Sequence, residues 1–79
     1  MNNLNISFYH FVLTFRGKTI PDDKSKLADW IFYDHDFPKH TMSYHEISDY
    51  LEMNSPFPNA LTVFDDLYDL YQLKNNSNL

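Results

Sequence analysis

The chain has 79 residues, one glycine, no cysteine and a formal net charge of −5. This length fits a single domain, and the lack of cysteine excludes disulfides and cysteine-ligated metals. The acidic balance disfavours nonspecific attraction to nucleic acid or anionic lipid. No apolar stretch approaches the ~20 residues of a membrane span, and no signal peptide is apparent. We therefore expect a cytoplasmic protein with no membrane association.

Aromatic residues are abundant, with seven Phe, six Tyr and one Trp. A domain this small buries only about 60% of the surface that its unfolded chain exposes, so these large rings must supply much of the core. Alternation with a period of two is not sustained, whereas helical spacing of apolar residues recurs in four segments. The pattern predicts an all-α domain.

The first predicted helix covers residues 8–16, with Ser7 as its N-cap and Gly17 just beyond its end. It is apolar over most of its circumference, which predicts a central position in the fold. The second helix begins after a cap at Asp22 or Asp23 and ends near residue 35. Asp34 falls on its apolar stripe, so we expect its carboxylate to cap a neighbouring helix or to accept a hydrogen bond from a tyrosine hydroxyl.

A capping box at Ser43 and Glu46 opens the third predicted helix, in which each side chain bonds the other's backbone amide. This helix ends near Met53. Asn59 is the predicted cap of a fourth helix over residues 60–73. Opposite the apolar side of that helix we expect a solvated face that carries Asp65, Asp66 and Asp69.

Four short helices with irregular connections favour a compact array of crossed helices over a simple up-down bundle. We expect a flexible N-terminus over residues 1–6, one domain over residues 7–73 and a flexible tail over residues 74–79.

Several segments carry a family resemblance. Residues 7–10 (SFYH), 33–39 (YDHDFPK) and 44–52 (YHEISDYLE), together with Phe64-Asp65 and Tyr71, resemble the YozE family of small Gram-positive bacterial proteins. The resemblance spans nearly the whole domain and implies a four-helix array similar to the sterile alpha motif (SAM-like). It departs at Tyr68, where we expect Trp in related sequences. It implies no reaction and no catalytic residue, and a fold alone does not supply them.

The histidines suggest a metal site only weakly. His10, His35, His40 and His45 could form a cluster with Asp34 and Asp36, but their spacing matches no metal-binding motif. The run from His45 to Asp49 resembles a zinc-protease helix, yet it lacks the second histidine and a third ligand. We therefore expect no metal and no cofactor.

Sequence features of an active site are also scarce. The chain has no cysteine nucleophile, and a single glycine cannot build a phosphate loop. Ser7 and Ser43 are explained as helix caps. We therefore expect a domain that is not an enzyme.

The leading hypothesis is a protein-interaction module, as SAM-like domains often are. Phe37 and Phe57 lie in breaks between helices, where we expect them to be exposed. Val63 and Leu70 extend the apolar side of the fourth helix. The competing interpretation is that all four residues fill a small core.

The alternative hypothesis is a nucleic-acid-binding module. Four of the six basic residues, namely Arg16, Lys18, Lys24 and Lys26, flank the turn into the second helix. The N-terminal amides of that helix could also meet a phosphate. Asp22 and Asp23 oppose this hypothesis because they lie within the same patch.

Overall fold

The structure is a computed structural model that describes residues 6–76. It has four helices and, within those residues, no strand. In chain order the helices are α1 (Phe8–Leu13), α2 (Asp23–Tyr33), α3 (Tyr44–Met53) and α4 (Ala60–Asn76). The all-α prediction is confirmed. The predicted flexible ends fall largely on residues 1–5 and 77–79, which lie outside the described residues, and α4 continues beyond the predicted end at residue 73.

The first helix is shorter than predicted because its last turn tightens. After Leu13, bonds from residue i to i−3 replace the α-helical ones: Phe15 N donates to Val12 O at 3.0 Å and Arg16 N to Leu13 O at 3.1 Å. Gly17 then has a φ of +82°, a conformation that glycine adopts without steric cost. Gly17 was predicted directly after the helix, but it lies three residues beyond Thr14, the residue that caps α1.

Polar side chains fix where the first two helices begin. The Ser7 side chain accepts a hydrogen bond from His10 N at 3.3 Å. Asp22, and not Asp23, caps α2: its carboxylate accepts from Ser25 N at 2.9 Å, and Asp22 N donates to Ser25 Oγ at 3.0 Å. A complete capping box therefore opens α2.

The capping box predicted for α3 is wrong in its second half. Ser43 Oγ accepts from Glu46 N at 3.3 Å, as expected. Ser43 N, however, donates to the Thr41 hydroxyl oxygen at 3.0 Å, and that hydroxyl donates to the Glu46 carboxylate. The Thr41 hydroxyl therefore takes the place predicted for the Glu46 carboxylate and links that carboxylate to Ser43 N.

Helix α4 is the longest helix and packs against each of the other three. Phe8 of α1 lies at the centre of the core, with its ring edge-on to Phe64 at 5.3 Å and to Tyr71 at 5.6 Å between ring centroids. Tyr71 also donates from its hydroxyl to Ile6 O at 2.7 Å, which holds residue 6 against α4. The predicted aromatic core is therefore present in the structure.

Candidate functional site

Arg16 of the predicted basic patch already forms contacts within the fold. Its Nε lies 2.7 Å from Asp29 Oδ1. Its guanidinium carbon lies 3.8 Å from the Phe32 ring centroid and 5.2 Å from that of Tyr33. The hydrogen bond to Asp29 raises the pKa of Arg16. The charge that would meet a phosphate is therefore compensated within the fold.

The other three basic residues differ in their surroundings. Lys18 Nζ lies 3.0 Å from Asp22 Oδ2. Lys24 is half-buried and Lys26 is exposed. Lys24 lines a cavity of about 450 Å³ between the starts of α2 and α4, together with Asp22, Asp23, Asn59, Thr62, Val63 and Asp66. Three of the four residues of the predicted nucleic-acid surface thus lie near aspartates: Arg16 and Lys18 in ion pairs, and Lys24 in this cavity.

Two of the four residues predicted for protein interaction are not exposed. Phe37 is 3% exposed and Val63 is 5% exposed, so the expectation of an accessible surface there is wrong. The loop after α2 folds back over the core and places the Phe37 ring edge-on to Tyr50, with centroids 5.7 Å apart. Phe57 is partly buried against the core. Leu70 alone keeps 40% of its surface exposed.

Leu70 belongs to a larger exposed face of α4. Leu73, which is 66% exposed, follows it by three residues, a spacing that places both on one side of a helix. Asp66 and Asp69 lie one helical turn before the two leucines, and both are exposed. We call Asp66, Asp69, Leu70 and Leu73 the outer face of α4.

A second cavity, of about 440 Å³, borders this face between α3 and α4. We call it the tyrosine–aspartate cavity; it is lined by Tyr44, Asp65, Tyr68, Asp69 and Gln72. Tyr44 donates to Asp65 Oδ1 at 2.6 Å, and Tyr68 donates to Met42 O at 2.7 Å. The centroids of the two tyrosine rings lie 5.2 Å apart, and the angle between the ring planes is 73°. The hydrogen bond to Asp65, aided by desolvation and the carboxylate charges, raises the pKa of Tyr44 above its ordinary value.

Sequence reasoning missed this cavity, although a signal was available. Asp65, Tyr68, Asp69 and Gln72 follow the spacing i, i+3, i+4, i+7, which aligns four polar or amphipathic side chains along one stripe of a helix. Tyr44 comes from a different helix, and only the packing of α3 on α4 shows that it completes the wall.

The histidines do not assemble with the carboxylates. Within residues 6–76, no group of three or more His, Cys, Asp or Glu side chains could hold a metal ion. His10 Nδ1 instead lies 2.9 Å from Ser7 Oγ at the start of α1. In the same part of the chain, no helix is long and apolar enough to cross a membrane.

Comparison with known proteins agrees with the fold. Residues 7–73 match the family described as YozE SAM-like fold. A UPF0346 protein of Listeria monocytogenes is 43% identical over 72 residues, which cover 91% of this chain and 94% of the relative. One from Staphylococcus saprophyticus is 51% identical over 65 residues, covering 82% and 86%. No solved structure gives a significant match. The chain therefore belongs to the YozE SAM-like family.

Proposed function

We propose that this chain is a protein-interaction module that binds a partner through the outer face of α4. The observation that carries the proposal is the pair of exposed leucines, Leu70 and Leu73, beside two exposed carboxylates on the same helix. Exposed apolar side chains rimmed by polar groups are typical of protein-binding surfaces.

The energetics favour a protein partner with a mixed apolar and basic surface. Full burial of one leucine side chain contributes about 1.5–3 kcal/mol. Asp66 and Asp69 add little affinity at an exposed rim, but they orient a partner of opposite charge and repel an acidic one. A strongly acidic surface, such as nucleic acid or an anionic membrane, fits this face poorly.

We further propose that the domain acts by binding and not by catalysis. The two cavities described above are lined by aspartate, tyrosine, Lys24, Asn59, Thr62, Val63 and Gln72, and no histidine lines either of them. Histidine is the side chain that most often serves as a general base. Nucleic-acid binding is the less favoured alternative, because Arg16 and Lys18 are held by Asp29 and Asp22.

Site-specific photocrosslinking in the native host tests the proposal. A photoreactive benzophenone residue is introduced at position 73 in the test variant. One control variant carries it at position 20, and the other carries it at position 53. Ile20 and Met53 are 83% and 85% exposed, so they match or exceed Leu73 in accessibility without lying on α4. We expect a discrete crosslinked protein from position 73 and none of that size from the controls.

Competition shows whether the crosslink depends on the leucines. Excess wild-type protein should suppress the product in a lysate, whereas excess Leu70→Ser/Leu73→Ser protein should not. The double variant is expected to stay folded because it changes exposed positions, and circular dichroism checks this. Equal products from all three positions, or no product from position 73, would contradict the proposal.

A further inference from the structure

The tyrosine–aspartate cavity presents hydrogen-bond acceptors on exposed side chains. Tyr44 uses Asp65 Oδ1. Asp65 and Asp69 both line the cavity and are exposed, so an entering ligand can reach their carboxylates. Gln72 adds an amide oxygen at the rim of the same cavity. A ligand entering here meets acceptors and negative charge.

The spacing of the two carboxylates also favours the binding of a cation. Asp65 and Asp69 lie four residues apart on α4, a spacing at which like charges repel and destabilise a helix. No basic side chain lines the cavity to offset that repulsion. A positive group from another molecule would relieve it and gain charge-assisted hydrogen bonds.

The tyrosine rings make the site suit an organic cation. Aromatic faces attract ammonium and guanidinium groups through the negative charge density of the π system. Contacts within the fold hold both rings in place. Tyr44 donates a hydrogen bond to Asp65 and stacks on Phe64, and Tyr68 donates a hydrogen bond to Met42 O. Because these side chains are already ordered, binding costs little further conformational entropy.

We propose that the tyrosine–aspartate cavity receives an arginine or lysine side chain of the protein partner. The proposal rests on the proposed function and adds the partner's chemistry to it. Asp69 belongs both to the cavity and to the outer face of α4, so a basic residue of the partner could enter the cavity while its apolar neighbours cover Leu70 and Leu73. Arginine should bind more tightly than lysine, because its planar group can stack on tyrosine and pair with a carboxylate through two bonds.

A titration of the ¹⁵N-labelled chain with N-acetyl-arginine amide, followed by NMR, tests the cavity alone. N-acetyl-citrulline amide is the control, because it keeps the shape of the side chain without its charge. We expect saturable shifts of the amide signals of the cavity residues, with a dissociation constant of about 1–10 mM at low salt and weaker binding at higher salt. Citrulline should cause no saturable shift.

A pair of matched variants assigns the effect to the cavity. Asp65→Asn/Asp69→Asn should reduce arginine binding at least about fivefold, and the amide oxygen introduced at position 65 can still accept the Tyr44 hydroxyl. Asp49→Asn/Glu52→Gln on α3 makes the same change in net charge at positions away from the cavity and should leave binding unchanged. Equal binding by arginine and citrulline, or equal loss in both variants, would overturn the inference.

The same variants separate this inference from the proposed function. If position 73 still crosslinks to a partner in Asp65→Asn/Asp69→Asn at the wild-type yield, the cavity does not receive a partner side chain, although α4 remains an interface. If position 73 yields no crosslink at all, the proposed function fails, and saturable arginine binding would then show only that the cavity takes a cation.

Discussion

Tyr50 on α3 donates a hydrogen bond from its hydroxyl to the carboxylate of Asp34, the residue that ends α2. The bond joins two residues that lie 16 positions apart in the chain. The Tyr50 ring also packs against Trp30 and Phe37, with centroids 6.4 and 5.7 Å away. Desolvation first, and then the bond to Asp34, raises the pKa of Tyr50 to about 12. One side chain thus links α2, α3 and the loop between them.

This relationship predicts that stability depends on Tyr50 at alkaline pH. The folded-state pKa of Tyr50, about 12, lies above the ordinary tyrosine value of 10.0. Its contribution is therefore complete below about pH 10 and is lost as the pH rises towards about 12. Tyr50→Phe should be less stable than wild type at neutral pH, and the gap should narrow over that alkaline range. Urea unfolding followed by Trp30 fluorescence measures the stability of both proteins at each pH. A stability difference that stays constant up to about pH 12 would contradict the role assigned to Tyr50.

Burial of Phe37 predicts a large effect of truncation. Phe37→Ala should lower the free energy of unfolding by about 3–5 kcal/mol, since the change leaves a cavity in the core. Phe37→Leu keeps most of the volume and should cost less than about 1.5 kcal/mol. Ile20→Ala, at an exposed position, should stay within about 0.5 kcal/mol of wild type. If Phe37→Ala resembled Ile20→Ala in chemical denaturation, the ring would be in solvent.

The cap at Asp22 predicts a distinct acid response. Hydrogen bonding from Ser25 N, with Lys18 as a further partner, lowers the pKa of Asp22 from 3.8 to about 2. A lowered pKa means that the contribution of Asp22 is present above about pH 3.8 and is lost as the pH falls towards about 2. Asp22→Ala should therefore reduce stability at neutral pH and show a weaker acid dependence. Asp49→Asn on α3, away from any cap, is the control; if both variants lose the same acid dependence, Asp22 is not its source.

The state of the basic residues predicts a negative result with nucleic acid. Arg16 and Lys18 are paired with carboxylates, so we expect no binding to duplex DNA or to RNA in a fluorescence titration at low salt. Binding that weakens with salt and disappears in Lys24→Glu/Lys26→Glu would support the nucleic-acid alternative and count against a protein partner.

The sequence predicts the helices and most of the core because both depend on local spacing. Apolar side chains recur with a helical period, and that period selects the inward positions, including Phe8, Phe64 and Tyr71. The same spacing predicts a hydrogen-bond partner for Asp34, since a carboxylate on an apolar stripe needs one when it is removed from water. Tyr50 donates to this carboxylate, which confirms a tyrosine hydroxyl as the partner.

The features that the sequence does not predict depend on contacts between distant residues. Phe37 is buried because a loop folds back, and loop residues carry no period that would indicate it. Arg16 is neutralised by Asp29, which lies 13 residues away. The tyrosine–aspartate cavity needs Tyr44 of α3 beside Asp65 of α4, a pairing that arises only when the two helices pack.

Affinity for the crosslinked partner tests most directly whether the outer face of α4 binds a protein. Isothermal titration compares wild type with Leu70→Ser/Leu73→Ser and with Ile20→Ser/Met53→Ser. Loss of about 2 kcal/mol, typical of an interface hot spot, predicts at least about 30-fold weaker binding for the α4 variant and no change for the control. Dissociation constants that agree within about twofold for all three proteins would contradict the claim.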